Sequence, residues 1–358
     1  MSAASIRAMN RTLLLACAPF IGLMIWMLSS DAELLLSEEA FPSHEARQPD
    51  PGVHSAKVLQ GLGQAESLAA GTGQSIKKEI ELYHKTNEEM NQIASVASKQ
   101  AARPYQIYDR RITGKLGKPT STIQSNKLQA QLFRLNAQNF NGYAVKIKLK
   151  KDDAMKLVLG KDQHGSAETT LEAVKRTGAA IGINAGGFAD GGGKRYPLGT
   201  TIVDGEYVGG FQATYRDLFF VGMNESNQLI GGKFTSKSQL DAKNPKFGAS
   251  FVPVLLQNGR KTEIPAKWQT SPARAPRTVI ANYKDDQLLF LVIDGYNEKG
   301  SSGATLAEVQ ILLQRYGAVN GYNLDGGGSS SLVFNGRVVN NPSDGQLRKL
   351  PTNFLFFS

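Results

Sequence analysis

The sequence predicts an α+β fold with a mostly antiparallel or mixed β-sheet core and a few packing helices, preceded by an N-terminal anchor helix and a helical spacer. Beyond residue 125, strand-forming runs outnumber helical ones. Two junctions between such runs are Asp204-Gly205 and Asn335-Gly336, which favour two-residue hairpins. Such hairpins join antiparallel neighbours, so at least part of the sheet is expected to be antiparallel.

Composition limits the classes of protein to which the chain can belong. Its 358 residues suffice for about two average domains, and its 41% hydrophobic content suits a packed core. The net charge of +10 favours anionic partners, but no zinc-finger spacing or RNA-binding signature is present, so nucleic acid is not expected. The single cysteine, Cys17, excludes an intrachain disulfide.

The first thirty residues have the pattern of a membrane anchor. Arg7 and Arg11 precede an uncharged apolar run over 13–28, just long enough to span a hydrocarbon core. Acidic residues follow this run, so the tip is expected in the cytoplasm and the body outside it. We interpret 1–30 as a single-pass anchor in the cell membrane. A cleaved signal peptide, giving a secreted body, and a lipoprotein signal are the alternatives.

Residues 31–124 are predicted to form a linker that contains an amphipathic helix at about 74–102. Ile76, Tyr83 and Met90 recur there at heptad-like spacing, on one apolar face that needs a partner. We expect the helix either to pack on the body of its own chain or to mediate self-association. The polar stretches before and after it, with their prolines, are predicted to be flexible.

Residues 125–358 are predicted to form one domain. Apolar periodicity predicts its elements in the following order. They are strands over Leu128–Leu135 and Tyr143–Leu149, a helix over Thr169–Thr177, strands over Ala179–Ile183, Val279–Ala281 and Gln287–Ile293, a helix over Thr305–Tyr316, and a strand over Val319–Leu324. Each helix begins with a Thr-x-x-Glu capping box and is followed by a glycine that stops it.

Three predicted strands end in a polar residue on glycine-rich backbone. The junctions are Asn184-Ala185-Gly186-Gly187-Phe188, Asp294-Gly295-Tyr296 and Asp325-Gly326-Gly327-Gly328-Ser329. Backbone N–H groups of a glycine-rich turn can form a concavity that binds an anion. A carboxylate beside it can act on a bond whose leaving oxygen belongs to a phosphate. A plain turn is the alternative at each junction.

A cationic cluster precedes one of the strands. Arg277 and Thr278 lead into the run at Val279, and Ser271 and Arg274 lie just before them. The planar guanidinium of arginine suits phosphate or carboxylate, so we expect this cluster to line an anionic pocket. An ordinary surface arginine beside a proline is the alternative.

Taken together, these motifs resemble the phosphodiester glycosidase family. The matching strings are Asn184-Ala185-Gly186-Gly187-Phe188, Ala275-Pro276-Arg277-Thr278, Asp294-Gly295, Asn323-Leu324-Asp325-Gly326-Gly327-Gly328-Ser329-Ser330 and Asn341-Pro342-Ser343-Asp344. The resemblance covers roughly 130–358. It implies a hydrolase that cleaves the glycosidic C1–O bond of a sugar 1-phosphodiester, in a cell-surface or exopolysaccharide-related glycan. Ala185 and Tyr296 depart from the usual family pattern, which bears on the substrate more than on the fold.

The resemblance also implies roles for individual residues. Asp325 is expected to act as nucleophile or base and Asp294 as its partner carboxylate. Arg277 and the amides of Gly326 to Gly328 are expected to stabilise the phosphate. The other candidates for holding sugar hydroxyls or phosphate oxygens are Asn184, Gly186, Gly187, Thr278, Asn323 and Ser329.

Two other functions fit the same residues. The first is a non-catalytic surface protein that binds anionic glycopolymer. The second is a metal-dependent phosphoesterase in which Asp294 and Asp325 hold Ca²⁺ or Mg²⁺. No motif calls for a cofactor or a metal, so none is expected from the sequence. The expected partners are a sugar-phosphate glycan and, through 1–30, the membrane.

Overall fold

The computed structural model describes residues 51–295 and 302–358, with side chains described from residue 55. The predicted anchor at 1–30 lies outside these residues. Within the described part of the chain, no helix combines the length and the apolarity needed to cross a membrane. The chain divides into two compact units between Asn91 and Gln92.

The helix α1 runs from Pro51 to Leu116, beyond both predicted ends at 74 and 102. Pro51 stands at its first position, where a missing N–H costs nothing. The stretch after residue 102, predicted to be flexible, is helical in spite of Pro104. Packing outweighs the cost of that proline: Ile112 is buried in the domain, and the hydroxyl of the adjacent Thr113 accepts a hydrogen bond from Lys146 of the sheet.

After α1 the chain is built from short strands and short helices, numbered in chain order. They are β1 Ser121–Gln124, β2 Leu128–Asn136, β3 Asn141–Leu149, β4 Met155–Leu159, α2 Thr170–Thr177, β5 Ile181–Asn184, β6 Phe188–Gly191, β7 Lys194–Pro197, β8 Thr201–Val203, β9 Glu206–Val208, β10 Phe219–Asn224, β11 Leu229–Gly232, α3 Lys237–Asp241, β12 Pro245–Phe251, β13 Val254–Gln257, β14 Arg260–Lys261, α4 Ala266–Thr270, β15 Arg277–Asn282, β16 Leu288–Ile293, α5 Leu306–Tyr316, β17 Asn320–Leu324, β18 Leu332–Phe334, β19 Arg337–Val338 and β20 Thr352–Phe356.

The described strands form three larger sheets and a hairpin. Eight strands make a sheet in the order β1-β2-β3-β16-β15-β17-β13-β14. Two five-stranded sheets have the orders β11-β10-β12-β8-β9 and β19-β18-β5-β20-β4, and β6 pairs with β7. Every one of these pairings is antiparallel. The α+β prediction is therefore confirmed, and the sheets are antiparallel rather than mixed.

The eight-stranded sheet is covered on both faces. One face, which includes Ile280 and Val292, packs against the two five-stranded sheets in the largest core. The other face, which includes Val279 and Leu291, packs against α5 and the last turns of α1. Because β15 and β16 are buried on both faces, their apolar residues do not alternate with polar ones: β16 is apolar throughout, and β15 is apolar over 279–281.

The predicted hairpins and helix caps are confirmed. Asp204 and Gly205 have φ angles of 48° and 81°, and Asn335 and Gly336 have 51° and 71°, as two-residue turns between antiparallel strands require. Both capping boxes are present at the starts of α2 and α5. Each helix is followed by a left-handed glycine.

Candidate functional site

Two candidate carboxylates emerge at one edge of the eight-stranded sheet. Asp294 follows the last residue of β16, and Asp325 follows the last residue of β17. β15 lies between these strands, and its Thr278 pairs with both Val292 and Leu324. Two interstrand spacings separate β16 from β17, so their backbones lie about 10 Å apart. The sheet thus brings together two residues that are 31 positions apart in sequence.

Asn184 joins this edge from a different sheet. Its Nδ2 donates to the backbone carbonyl of Asp325 at 2.6 Å, and its Oδ1 accepts from Thr278 Oγ1 at 2.8 Å and from the Ser331 N–H at 3.0 Å. Asn184 and Thr278 are fully buried. The structure therefore gives both side chains a positioning role beneath Asp325, in place of the predicted contact with sugar or phosphate.

Gly186 and Gly187 make room for strand β12. A Cβ at Gly186 would lie 2.7 Å from the Cβ of Ala249, and one at Gly187 would lie 2.6 Å from Phe251 Cδ2. The Gly187 N–H donates to the Ser250 carbonyl at 3.1 Å. These glycines serve close packing, and the Gly187 amide is not available for the predicted anion contact.

Arg277 lies inside the domain rather than at an open anionic pocket. Its side chain is 5% exposed. Nε donates to the Ala304 carbonyl at 3.2 Å and Nη2 to the Pro272 carbonyl at 3.0 Å. Burial lowers the pKa of the guanidinium to about 10. Arg277 therefore braces the segment that leads into α5, which corrects the predicted phosphate contact.

The neighbouring Arg274 is also engaged within the protein. It donates to the Gly303 carbonyl at 2.6 Å and to the Glu308 carboxylate at 2.5 Å. Ser271 ends the short helix α4. Arg274 and Arg277, which were expected to line an anionic pocket, instead form hydrogen bonds that stabilise the start of α5.

The glycine loop after Asp325 forms a tight turn against β15. Gly327 has a φ of 58°, and its N–H donates to the Pro276 carbonyl at 2.9 Å. A Cβ at Gly326 would lie 2.8 Å from the same carbonyl. The Gly327 amide is therefore used within the protein and is not available for the predicted anion contact.

An ion pair between Arg348 and Asp344 lies directly against the backbone of Gly328. A Cβ at this position would lie 2.2 Å from both Arg348 Nη2 and Asp344 Oδ2. Arg348 donates to Asp344 through Nε at 3.1 Å and Nη2 at 2.8 Å. The side chain of Arg348 is 27% exposed. The sequence analysis missed Arg348, which has no distinctive local motif around it.

A second arginine contacts the segment that follows Arg348. Arg195 donates to the Lys349 carbonyl at 2.5 Å and to the Asp190 carboxylate at 2.7 Å. Its guanidinium lies over the Phe188 ring, 4.1 Å from the centroid. The β6–β7 hairpin and the loop that bears Arg348 are thereby held together through the Arg195 side chain.

Asp294 combines burial with specific hydrogen bonds. Its Oδ1 accepts from the Asn341 N–H at 2.8 Å, and the Asn340 side chain also bonds to it. Burial raises the pKa of this carboxyl despite the two hydrogen bonds, which act in the opposite direction. Asp294 is therefore suited to hold a proton in a site that disfavours its charge.

A cleft of about 400 Å³ lies in front of Asp294. The tip of the β2–β3 hairpin forms one wall of it. Its polar lining residues are Gln138, Asn139, Asn141, Asp294, Ser302 and Asn341. The sequence analysis assigned no role to the hairpin tip, although the run of Asn and Gln between two predicted strands was a usable signal.

Asn323 and Ser329 lie within the wall of the site. Asn323 is 2% exposed and donates through Nδ2 to the Val252 carbonyl at 2.7 Å. Ser329 is 1% exposed, and its Oγ has no hydrogen-bond partner among the described residues. Asn323 therefore supports the strand, and the Ser329 hydroxyl is a buried polar group in the wall of the site.

Comparison with known proteins identifies relatives of the C-terminal domain. The family model described as Phosphodiester glycosidase matches residues 177–357, just over half of the chain. The N-acetylglucosamine-1-phosphodiester alpha-N-acetylglucosaminidase of Bos taurus is 28% identical over 190 residues, covering 49% of this chain and 35% of the relative. The SPbeta prophage-derived uncharacterized protein YomE of Bacillus subtilis (strain 168) is 28% identical over 184 residues, covering 50% of this chain and 28% of the relative.

The fold has a counterpart among solved structures. The catalytic domain of zebrafish N-acetylglucosamine-1-phosphodiester alpha-N-acetylglucosaminidase, auto-inhibited by its pro-peptide, superimposes with a TM-score of 0.54 at 20% identity. The match covers 67% of this chain and 87% of that one. At this identity the likeness concerns the fold. The chain spans about a third of the length of the curated relatives it matches.

Proposed function

The chain belongs to the phosphodiester glycosidase family, and we propose that it hydrolyses the glycosidic C1–O bond of a sugar 1-phosphodiester. One observation carries the proposal beyond family membership. Asp294, half-buried with a raised pKa, lines a cleft at the sheet edge from which Asp325 also emerges. A pair of carboxyl groups is what most enzymes that cleave glycosidic bonds use.

In the proposed reaction, one carboxyl group acts as nucleophile or base and the other as acid. Asp325 either takes a proton from the water that attacks C1, or attacks C1 itself to form a glycosyl-enzyme, which water then hydrolyses to release the sugar and restore the carboxylate. The C1–O bond breaks, and the phosphomonoester leaves with the bonding electron pair. Asp294 supplies a proton or a hydrogen bond as charge develops on the leaving oxygen. Because a phosphomonoester is a fair leaving group, stabilising its negative charge matters more than protonating it.

The phosphate is proposed to lie beside Gly328. Arg348 lies against that backbone, and Arg195 donates to the Lys349 carbonyl in the same loop. A guanidinium is well suited to phosphate oxygens. This placement replaces the one inferred from sequence, since Arg277 is buried and bonded to backbone carbonyls.

The test uses the methyl phosphodiester of N-acetylglucosamine 1-phosphate. The wild-type chain should release free sugar and methyl phosphate. Asp325→Asn and Asp294→Asn should each lose about 10²–10⁴-fold in kcat/KM while remaining folded. Asp204→Asn, in the β8–β9 turn, is the matched control and should be unchanged. A folded wild-type chain that hydrolyses no sugar phosphodiester in a broad panel would leave the glycopolymer-binding function in first place.

The metal-dependent phosphoesterase is distinguished by its products and its chelator sensitivity. Among the described residues, no three His, Cys, Asp or Glu side chains are grouped to hold a metal ion. A phosphoesterase would break a P–O bond and release sugar phosphate or inorganic phosphate. Loss of activity in EDTA, restored by Ca²⁺ or Mg²⁺, would favour this alternative.

We further propose that residues 1–30 anchor the chain in the cell membrane and place the domain outside the cytoplasm. The apolar run at 13–28 and its basic flank support this location. A cell-surface or exopolysaccharide-related glycan would then be the accessible substrate. Protease added to intact cells should digest the domain. Protection until the cells are lysed would contradict the proposal.

Self-association through α1 is proposed on the basis of its exposed apolar side chains. Leu62, Ile76, Tyr83 and Met90 are separated by multiples of seven residues and are 50–66% exposed. The same helix of a second copy of the chain would bury these apolar side chains. Light scattering should give a dimer or higher oligomer that Ile76→Glu with Met90→Glu converts to monomer. A monomeric wild-type chain would contradict it.

A further inference from the structure

We infer that a cationic groove beside the site holds a second phosphate of the substrate, carried by the same sugar whose C1–O bond is cleaved. The inference rests on the proposed function and adds the class of substrate to it. Such a substrate is a chain of sugars joined through phosphates, which the enzyme would cut at an internal position. The groove consists of two adjoining pockets that share Arg134 and Asn136.

The larger pocket of the groove has a cationic lining. It has a volume of about 550 Å³ and lies between the end of α1, the end of β2 and the last turn of α5. Its charged lining residues are Lys115, Arg134 and Arg315, and no Asp or Glu lines it. The lining residues come from three stretches that the structure describes without a gap: 114–117, 134–138 and 312–316. The potential inside this pocket therefore favours an anion.

The three cations are not engaged by carboxylates of the domain. Among the described residues, the side chains of Lys115, Arg134 and Arg315 form no ion pair and no hydrogen bond. Arg274 and Arg348, by contrast, each pair with a carboxylate. Ammonium and guanidinium groups bind phosphate oxygens well. Here they can do so without breaking an interaction within the protein.

Lys115 and Arg315 lie at the same end of α5. A Cβ at Gly317, two residues after Arg315, would lie 3.2 Å from Lys115 Nζ. Burial raises the pKa of Tyr316, and the nearby charge of Arg315 acts in the opposite direction. An ammonium, a guanidinium and a phenol hydroxyl thus stand around one pocket, and all three can donate to a phosphate oxygen.

Arg134 connects this pocket to Asp294. It also lines the smaller pocket of the groove, of about 200 Å³, together with Asn141 and Asp294. In the sheet Arg134 pairs with Tyr143, which pairs with Val292, two residues before Asp294. Paired residues share a face of the sheet, as do residues two apart, so Arg134 and Asp294 belong to one face. Two interstrand spacings and two residues along the strand place their backbones about 12 Å apart.

Strand β2 has an unpaired edge between the two pockets. β1 pairs with β2 only as far as Leu132, so the following residues of β2 lie at the edge of the sheet. Arg134 and Asn136, which line both pockets, come from this edge. A chain of sugars can therefore pass over the edge from Asp294 towards the end of α5.

The order of the strands determines which phosphate the groove would hold. In the order β2-β3-β16-β15-β17, Asp294 lies between Arg134 of β2 and Asp325, which follows β17. The phosphate that leaves is proposed to lie beside Gly328, on the Asp325 side. A phosphate in the groove then lies on the opposite side of the ring and belongs to the sugar that is released. Hydrolysis with one water would give a sugar that still carries this phosphate, together with a phosphomonoester.

Two kinds of substrate, compared on the full chain, test the inference. One is the methyl phosphodiester of N-acetylglucosamine 1-phosphate, and the other carries an additional methyl phosphodiester at O3, O4 or O6. The wild-type chain should prefer the best of the doubly phosphorylated compounds by about tenfold or more in kcat/KM. Because salt screens exposed charges, this preference should shrink between about 0.05 M and about 0.5 M NaCl. Equal use of the two kinds of substrate would overturn the inference and leave the proposed hydrolysis standing.

A double variant assigns the preference to the groove. Lys115→Gln with Arg315→Gln removes two charges from the larger pocket, and neither residue lines the pocket that contains Asp294. The preference should fall below about threefold. Lys233→Gln with Lys243→Gln, at two exposed lysines beside β11 and β12, is the charge-matched control and should keep the wild-type preference. An unchanged preference in the Lys115 and Arg315 variant would overturn the inference.

Anionic lipid is the other source of phosphate groups that such a groove could bind. Co-sedimentation with vesicles that contain phosphatidylglycerol distinguishes the two sources. If Lys115→Gln with Arg315→Gln loses vesicle binding and keeps the wild-type substrate preference, the groove binds the membrane surface and the inference is wrong. A lost substrate preference with unchanged vesicle binding would support the inference.

Calorimetry covers the case in which the wild-type chain hydrolyses neither kind of substrate, a result that would count against the proposed function. The doubly phosphorylated compound should then still bind the wild-type chain, and bind Lys115→Gln with Arg315→Gln about tenfold more weakly. That difference would support the second phosphate site. Equal affinities, or no binding to the wild-type chain, would overturn it.

Discussion

The side-chain amide of Asn184 donates a 2.6 Å hydrogen bond to the backbone carbonyl of Asp325, across two sheets of the domain. Asn184→Ala would leave three buried groups without that partner: the Asp325 carbonyl, the Ser331 N–H and the Thr278 hydroxyl. We expect a loss of about 3 kcal/mol in the free energy of unfolding and a fall in kcat with little change in KM. Urea unfolding and steady-state kinetics measure the two effects.

The graded control is Thr278→Val, which removes a single donor to Asn184. It should cost about 1 kcal/mol. If Asn184→Ala leaves both stability and kcat at wild-type levels, Asn184 does not position Asp325.

Gly328→Ala should lower activity more than stability. The added Cβ would lie 2.2 Å from Arg348 Nη2 and from Asp344 Oδ2. Both are ends of flexible side chains and can move aside, so the fold should survive while the ion pair is displaced. We expect kcat/KM to fall about tenfold if Arg348 holds the phosphate. Gly191→Ala, whose Cβ would meet nothing within 4 Å, is the matched control. Wild-type kinetics for Gly328→Ala would remove Arg348 from the phosphate site.

The raised pKa of Asp294 predicts a definite dependence of stability on pH. Burial raises the pKa in the folded state above the unfolded value of about 3.9. Below that value both states are protonated and the group contributes nothing. As pH rises through the unfolded pKa towards the folded one, the unfolded state ionises first, and the folded state loses stability.

Asp294→Asn removes this penalty and can still accept the hydrogen bond from Asn341. The variant should therefore gain stability relative to the wild type as pH increases from about 4, with a plateau above the folded pKa. Urea midpoints measured from pH 3 to pH 8 provide the comparison. A difference that does not change with pH, or that favours the wild type at high pH, would contradict the raised pKa.

Asp109 is expected to hold the end of α1 on the sheet. It accepts from Lys146 Nζ at 2.7 Å and from Gln287 Nε2 at 2.9 Å. Burial alone would raise the pKa of Asp109, but these hydrogen bonds outweigh it and hold the pKa below its usual value. The stabilisation is therefore present above the unfolded pKa and is lost as pH falls through the folded one.

Asp109→Ala leaves the Lys146 ammonium, 3% exposed, donating to the Thr113 hydroxyl without its carboxylate partner. We expect a loss of about 2 kcal/mol at pH 7, less than for a fully buried pair because Asp109 is 37% exposed. Gln106→Ala, at an exposed position less than one turn away, is the control. Equal unfolding midpoints at pH 7 for both variants and the wild type would show that the pair does not stabilise the domain.

Local patterns predicted the elements of the domain well, because the relevant signals lie within a few residues of one another. The turn at Asp204-Gly205 and the cap at Thr305 depend on backbone preferences that neighbouring residues do not override. The end of α1 was missed for the opposite reason. Pro104 is a strong local signal for a break, and the contacts of Ile112 and Asp109 that outweigh it come from distant parts of the chain.

The site was predicted in part. Asp294 and Asp325 lie at one edge of one sheet, as their positions after two strands suggested. Whether a polar group faces substrate or protein depends on tertiary neighbours, which the sequence does not reveal. Arg277 therefore was assigned to phosphate although it bonds to backbone carbonyls, while Arg348 was overlooked although it lies on Gly328.

The central claim is that the chain breaks the C1–O bond and not a P–O bond. Hydrolysis of the methyl phosphodiester of N-acetylglucosamine 1-phosphate in ¹⁸O-labelled water tests it directly, with mass spectrometry of the released methyl phosphate. Water that attacks C1 places its oxygen on the sugar, so the methyl phosphate should carry no label. Label in a phosphate product would mean attack at phosphorus and would contradict the glycosidase account.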